Sequence, residues 1–187
     1  MESMPPVQRI YITGFMGVGK STVTPRVAKR LGYASMDLDN EIVRHLGLSI
    51  PGIFEVMGEQ EFRKTEYEIL KSASETPELV VSLGGGAICR ENTLDLCLNT
   101  GLLIYLKSSP PALAQRLSKS RQARPKLFDD SGAMLKGPSL VARIEELLKA
   151  RETFYESAHI IISVDDQNTP QVARTISQKV TKWRGSN

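Results

Sequence analysis

The sequence predicts an α/β fold: a parallel sheet covered by helices on both faces. Residues Gly14 to Ser21 spell GxxxxGK[ST] between a short apolar run and a segment of helical spacing, which is the order strand, loop, helix. Further apolar runs of four to six residues alternate with helical stretches along the chain. Parallel neighbours require such crossover connections, and these are right-handed. With 187 residues, 41% of them hydrophobic, the chain is long enough for one domain with its own core, and residues 1–187 read as that single domain.

The first strand is Arg9-Ile10-Tyr11-Ile12-Thr13, and the helix after the loop runs from Ser21 to Leu31. At the joint, Gly14, Gly17 and Gly19 can adopt angles that turn successive N–H groups inward, an anion nest at the positive end of the helix. The loop is therefore expected to cradle the phosphates of a nucleoside triphosphate through Gly17, Val18, Gly19, Lys20, Ser21 and Thr22. Lys20 would reach the β- and γ-phosphate oxygens, and Ser21 would place its hydroxyl on Mg²⁺. Later strands are expected near Ala34–Met36, Val80–Leu83, Leu102–Leu106 and His159–Ile162. Ser109-Pro110 and Thr169-Pro170 each offer a cap residue followed by proline at a first helical position. Phe128 to Pro138 lacks periodicity and reads as a mobile connection.

Ligands in such folds collect beyond the carboxyl ends of the strands. Three features follow strands and should share that crevice: the glycine loop, Asp37 with Asp39, and Gly84-Gly85-Gly86. Asp37 suits the magnesium shell, and Asp39 suits a hydrogen bond from a substrate hydroxyl; the alternative is an acidic turn capping the helix near Asn40. Arg63 matches a carboxylate with its planar fork, or is a surface salt-bridge residue. The glycine triplet offers backbone N–H groups without side-chain bulk, or is a tight turn. Arg124 and Arg151 bring further positive charge. A pocket of this kind fits a small hydroxylated anion facing a γ-phosphate, and hence a small-molecule kinase.

The 24 Lys and Arg are spread among 21 Asp and Glu, a net charge of +3 that does not imply nucleic acid. The densest basic stretch, Lys119 to Lys126, is a solvated face, a phosphate-facing lid or a nucleic-acid patch. Cys89 and Cys97 lack zinc-site spacing and read as buried small hydrophobes in a reducing, cytoplasmic or plastid-like compartment. His45 and His159 read as packing or surface residues. No apolar run approaches the ~18 residues needed to span a bilayer, so no membrane partner is expected.

Taken together, these residues resemble the shikimate kinase family over nearly the whole chain. The resemblance is carried by Gly14 to Ser21, by Met36-Asp37-Leu38-Asp39 with Glu41-Ile42, and by Ile53-Phe54-Glu55 with Gly58-Glu59 and Phe62-Arg63. It continues through Ser82 to Ala87, Arg124-Pro125, Arg151 with Tyr155, and Val164-Asp165 with Pro170. It implies a five-stranded parallel sheet of the P-loop kinase type with a mobile lid within about residues 116–138. It further implies transfer of the ATP γ-phosphate to the 3-hydroxyl of shikimate, in aromatic amino acid biosynthesis, by a monomer. By position, Asp39, Arg63, Gly84, Gly85, Gly86 and Arg151 are the implied shikimate contacts. Arg124 is the implied lid arginine, catalytic with Lys20 and Asp39, and Arg116 with Pro170 would sandwich adenine. Two departures stand out: Thr24-Pro25, expected to kink or shorten the helix, and Lys126 where relatives often carry leucine. The competing functions are a gluconate-type kinase and a nucleotide-binding relative that has lost transfer.

Overall fold

The computed structural model describes residues 8–120 and 124–186. Of the basic stretch, Arg121, Gln122 and Ala123 lie outside the described residues. Five strands form one sheet: β1 (Arg9–Thr13), β2 (Ala34–Asp37), β3 (Leu79–Ser82), β4 (Leu102–Lys107) and β5 (Ile160–Ser163). All pairings are parallel, in the order β2-β3-β1-β4-β5, with Ile10 opposite Val80 on one side and Leu102 on the other. The central strands are buried on both faces, which explains their continuous rather than alternating apolar pattern.

One face is covered by α1 (Lys20–Leu31), α6 (Pro110–Ser118), α7 (Gly137–Lys149) and α9 (Thr169–Ser186). Val23, Val27, Leu113, Leu117, Ile144, Val172 and Ile176 from these helices pack on Ile10, Ile12 and Ile104. The other face carries α2 (Leu38–Leu46), α3 (Ile50–Val56), α4 (Gly58–Ala73), α5 (Glu91–Thr100) and α8 (Glu152–Glu156), whose Leu38, Ile42, Ile53, Leu70, Cys97 and Tyr155 meet Tyr11, Leu103 and Tyr105. Cys97 is fully buried, as expected, while Cys89 is only half-buried. His159 is a packing residue: its Nδ1 accepts the Leu103 N–H at 3.0 Å.

Several expectations need correction. Pro25 neither ends nor shortens α1, which runs unbroken to Leu31. Ser21, whose carbonyl loses its ladder donor, and Pro25 are both exposed, so water can take the place of the missing N–H. Helix α9 is capped not by Thr169 but by Asn168, whose Oδ1 accepts the Gln171 N–H at 3.0 Å while Gln171 Oε1 accepts the Asn168 N–H at 2.8 Å. This reciprocal arrangement satisfies two orphan donors at once. Ser109 caps α6 as expected, through the Ala112 N–H. The stretch from Phe128 to Pro138 is not structureless: Asp129 Oδ1 accepts the Ser131 and Ala133 N–H groups, Phe128 bridges Met134, and the Leu135 N–H donates to Leu127 O at 2.9 Å.

Candidate active site

The glycine loop joins β1 to α1 with Gly14, Gly17 and Gly19 all at positive φ. At Gly14 a side chain is impossible, because a Cβ would lie 2.7 Å from Leu106 O. Lys20 is buried and donates through Nζ to Gly14 O at 2.7 Å and Phe15 O at 3.1 Å, so its ammonium is folded along the loop's inner rim. Burial lowers its pKa to about 8, partly offset by Asp39 and reinforced by Arg124. Ser21 Oγ donates to Asp37 Oδ2 at 2.7 Å.

Asp37 ends β2 and caps α2, the alternative reading of it: its Oδ1 accepts the Asn40 N–H, while Oδ2 accepts from Ser21 Oγ of the loop. Asp39 lies two residues on, in the first turn of α2, and lines the crevice. Shielding by the surrounding walls raises its carboxyl above the usual value, as does Asp37; Lys20, Arg63 and Arg124 oppose this. A Cβ on Gly84 would lie 2.8 Å from Asp39 Oδ1, so only glycine lets this carboxylate approach the strand end.

Arg63 projects from α4 and is gripped by acids of its own helix. Its Nη1 donates to Glu66 Oε2 at 2.8 Å and its Nε to Glu59 Oε1 at 3.4 Å; the Glu66 side chain is only 3% exposed. A Cβ on Gly86 would meet Arg63 Nη2 at 3.5 Å, and Gly85 lies against Met16 N and Gly14 O of the phosphate loop. Arg151, at the start of α8, donates from Nη1 to Gly85 O at 3.0 Å and stands over the Phe15 ring, 5.7 Å from its centroid. The Tyr155 hydroxyl donates to the same carbonyl.

Both halves open onto one cleft of about 420 Å³, whose lining includes Gly17, Gly19, Lys20, Ser21, Thr22, Asp37, Asp39, Gly85 and Arg124. Arg63, Arg151, Gly84 and Gly86 are not in that lining: Arg151 meets it through the Gly85 carbonyl, whereas Arg63 lies beside Gly86 and lines a separate depression of about 560 Å³ with Glu59 and Arg90. Arg116 extends from α6 to donate to Val18 O and to Val164 O, each at 3.2 Å, bridging the phosphate loop and the segment after β5. Pro170 is exposed at the second position of α9 and is not part of the cleft lining. A larger open groove of about 1210 Å³ between α1 and α9 has no carboxylate in its lining and is remote from this chemistry. Sequence reasoning missed Glu66, whose spacing from Arg63 reads as an ordinary helical ion pair; only its burial sets it apart. The hard oxygens of Ser21 and Asp37 suit Mg²⁺, which keeps several waters and shares phosphate oxygens rather than needing a protein cage.

A family model described as shikimate kinase matches residues 16–181. The chain belongs to the shikimate kinase family. A shikimate kinase from Salinibacter ruber is 39% identical over 172 residues, covering 92% of this chain and 84% of that protein. One from Prosthecochloris aestuarii is 37% identical over 174 residues, covering 93% and 88%. Among solved structures, the shikimate kinase from Acinetobacter baumannii in complex with shikimate superposes with a TM-score of 0.83 at 31% identity, covering 94% of each chain. A gluconokinase from Sinorhizobium meliloti reaches 0.59 at 16% identity, covering 96% and 94%, a likeness of fold alone. The fold expected from sequence, a five-stranded all-parallel sheet flanked by helices of the P-loop kinase type, is the one found. Among the described residues, no helix is long and apolar enough to cross a membrane.

Proposed function

We propose that this protein transfers the γ-phosphoryl group of ATP to the 3-hydroxyl of shikimate. The observation that carries the reading is the single cleft in which Lys20, Arg124, Asp39 and Gly85 share a lining, so that a phosphate donor and a hydroxylated acceptor meet without protein between them. The loop N–H groups from Gly17 to Thr22 bind the phosphates of ATP. Lys20 exchanges its two carbonyl acceptors for β- and γ-phosphate oxygens, which returns its ammonium to full charge. Mg²⁺ held by Ser21 and, through water, by Asp37 would neutralise phosphate charge. Arg116 and Pro170 flank adenine at the far end, reached from the phosphate loop through Val18 and Val164.

On the acceptor side, Arg63 and Arg151 hold the carboxylate of shikimate, with Glu66 fixing the direction of the Arg63 fork. The N–H groups of Gly85 and Gly86 present the backbone to its ring substituents. Asp39 accepts a hydrogen bond from the 3-hydroxyl and aims its oxygen at the γ-phosphorus. Little covalent work is needed, because the transferring group passes through a loose transition state and catalysis consists of alignment and charge neutralisation. Arg124 supplies positive charge to the γ-oxygens from the segment that closes over them. Residues 116–138 contain this lid. Within them Leu127 is fully buried and Lys126 O accepts the Arg143 Nε–H at 3.2 Å. The protein is read as a monomer acting on small molecules in the cytoplasm, and the spread of its 24 Lys and Arg among 21 Asp and Glu argues against a nucleic-acid partner.

A coupled ADP-release assay with shikimate, quinate and gluconate, with ³¹P NMR of the product, tests this reading. Turnover of shikimate to its 3-phosphate is expected; turnover of gluconate alone, or ATP binding with no acceptor turned over, would overturn it.

A further inference from the structure

We propose that Tyr155 is a positioning residue for the acceptor, its hydroxyl anchoring the Gly85 carbonyl so that the Gly85–Gly86 wall and Arg151 keep a fixed register. The inference deepens the reading above and rests on it. Three consecutive glycines form a wall with the greatest backbone freedom a chain can have, and a wall that binds ligand through its N–H groups gains nothing from that freedom. Among the described residues, neither the Gly85 nor the Gly86 N–H donates to a partner, so these amides are available to a ligand. The opposite side of the same backbone is where the structure restrains it.

Gly85 O accepts two donors, the Tyr155 hydroxyl and Arg151 Nη1, and both come from the short α8 region. Because a peptide unit is planar and trans, pinning that carbonyl also fixes the Gly86 N–H, which points the other way. Arg151 alone would be a poor anchor. Its guanidinium is needed for the substrate carboxylate, and a bond that shifts as substrate arrives cannot define the wall. The neutral phenol of Tyr155, which also meets the Arg151 side chain, carries no charge for a substrate to draw away. It is 1% exposed and its ring stacks on Tyr105, with centroids 4.8 Å apart and planes 12° apart. Burial also pushes the Tyr155 phenol up, so it remains a donor throughout the working pH range. Gly85 in turn lies against Gly14 and Met16, so the anchor connects α8 to the phosphate loop through a single residue.

Tyr155→Phe keeps the stacked ring and removes only the hydroxyl; Tyr105→Phe removes a hydroxyl from the other member of the stack, one that makes no bond to Gly85 among the described residues. Steady-state kinetics of both variants would be joined by hydrogen exchange at the Ala87 and Cys89 amides, whose bonds to Gly84 O and Gly86 O close the glycine turn. Loss of one net hydrogen bond corresponds to about fivefold. In Tyr155→Phe, the KM for shikimate is therefore expected to rise about fivefold or more, with the KM for ATP and kcat within about twofold and faster exchange at the two amides. Tyr105→Phe should match the parent in both. Unchanged shikimate KM and exchange in Tyr155→Phe would overturn the proposal, as would equal changes in both KM values, which mark general destabilisation. Should the parent enzyme fail to phosphorylate shikimate, the proposed function falls by itself. The exchange measurement then still decides Tyr155, faster exchange supporting the anchor and unchanged exchange removing it.

Discussion

Replacing Arg63 by alanine separates binding from stability in a way the structure makes quantitative. Arg63 is largely buried, with its side chain 16% exposed, and under the proposed function it faces the carboxylate of shikimate while its other donors hold Glu66. Hydrogen bonds to charged groups contribute about 1.5–3 kcal/mol, so the KM for shikimate should rise about 10- to 150-fold with a much smaller effect on kcat. The same change leaves Glu66 buried beside no cation. Removing one member of a buried pair costs about 3–5 kcal/mol when the other stays charged. Glu66 can lessen this by taking up a proton, since burial, opposed by Arg63, already raises its carboxyl. A carboxyl raised in the folded state favours folding at low pH and loses that contribution as pH rises above its unfolded value, so Arg63→Ala should be less destabilised at pH 5 than at pH 7. Adding Glu66→Gln removes the orphaned charge, and the double variant should regain thermal stability at pH 7 without regaining affinity. Coupled kinetics and thermal denaturation at both pH values read out the two effects. An Arg63→Ala enzyme with the parent KM for shikimate, or a double variant in which affinity returned, would refute the carboxylate assignment.

Other outcomes follow from the same geometry. Arg124→Ala should lower kcat about 10³-fold while leaving the KM for ATP nearly unchanged, because its charge is needed at the transferring phosphoryl group; a matching loss of ATP affinity would contradict that role. Lys20 titrates at about 8 before ATP arrives, and phosphate raises that value, so ATP binding near pH 8 should take up protons. Calorimetry in buffers of different ionisation enthalpy measures the uptake, and none in the parent would oppose Lys20 as the phosphate contact. His159 accepts the Leu103 N–H and burial lowers its pKa below the ordinary 6.5. Its contribution to stability is full above that value and lost as pH falls through the lower folded one. Thermal denaturation between pH 7.5 and 5 should therefore fall more steeply for the parent than for His159→Gln, and parallel curves would count against it.

Much of this was legible because the signals are local. The phosphate loop, the buried strands and the Asp37–Asp39 pair each occupy a few consecutive residues whose chemistry admits few readings. The failures came where two local rules compete or where distant packing decides. At Thr169-Pro170 a good cap stood beside a better one, because Asn168 pairs reciprocally with Gln171. Proline inside a helix predicts a disturbed α1, but the solvent-side position of Pro25 leaves the lost hydrogen bond to water. The segment from Phe128 has no period, yet Leu127, Met134 and Leu135 pack on the core and Asp129 ties its turn. Glu66 was invisible because a helical Arg–Glu pair three residues apart is commonplace; what distinguishes it is burial beneath the glycine strand end, a property of the fold.

The most direct measurement is a crystal structure with ADP, Mg²⁺ and shikimate bound together. In-line transfer requires the shikimate carboxylate on Arg63 and Arg151, its 3-hydroxyl on Asp39, and that oxygen facing the β-phosphate along a line with room for one phosphoryl group. Shikimate bound elsewhere, or bound there with its 3-hydroxyl turned from the nucleotide, would contradict it.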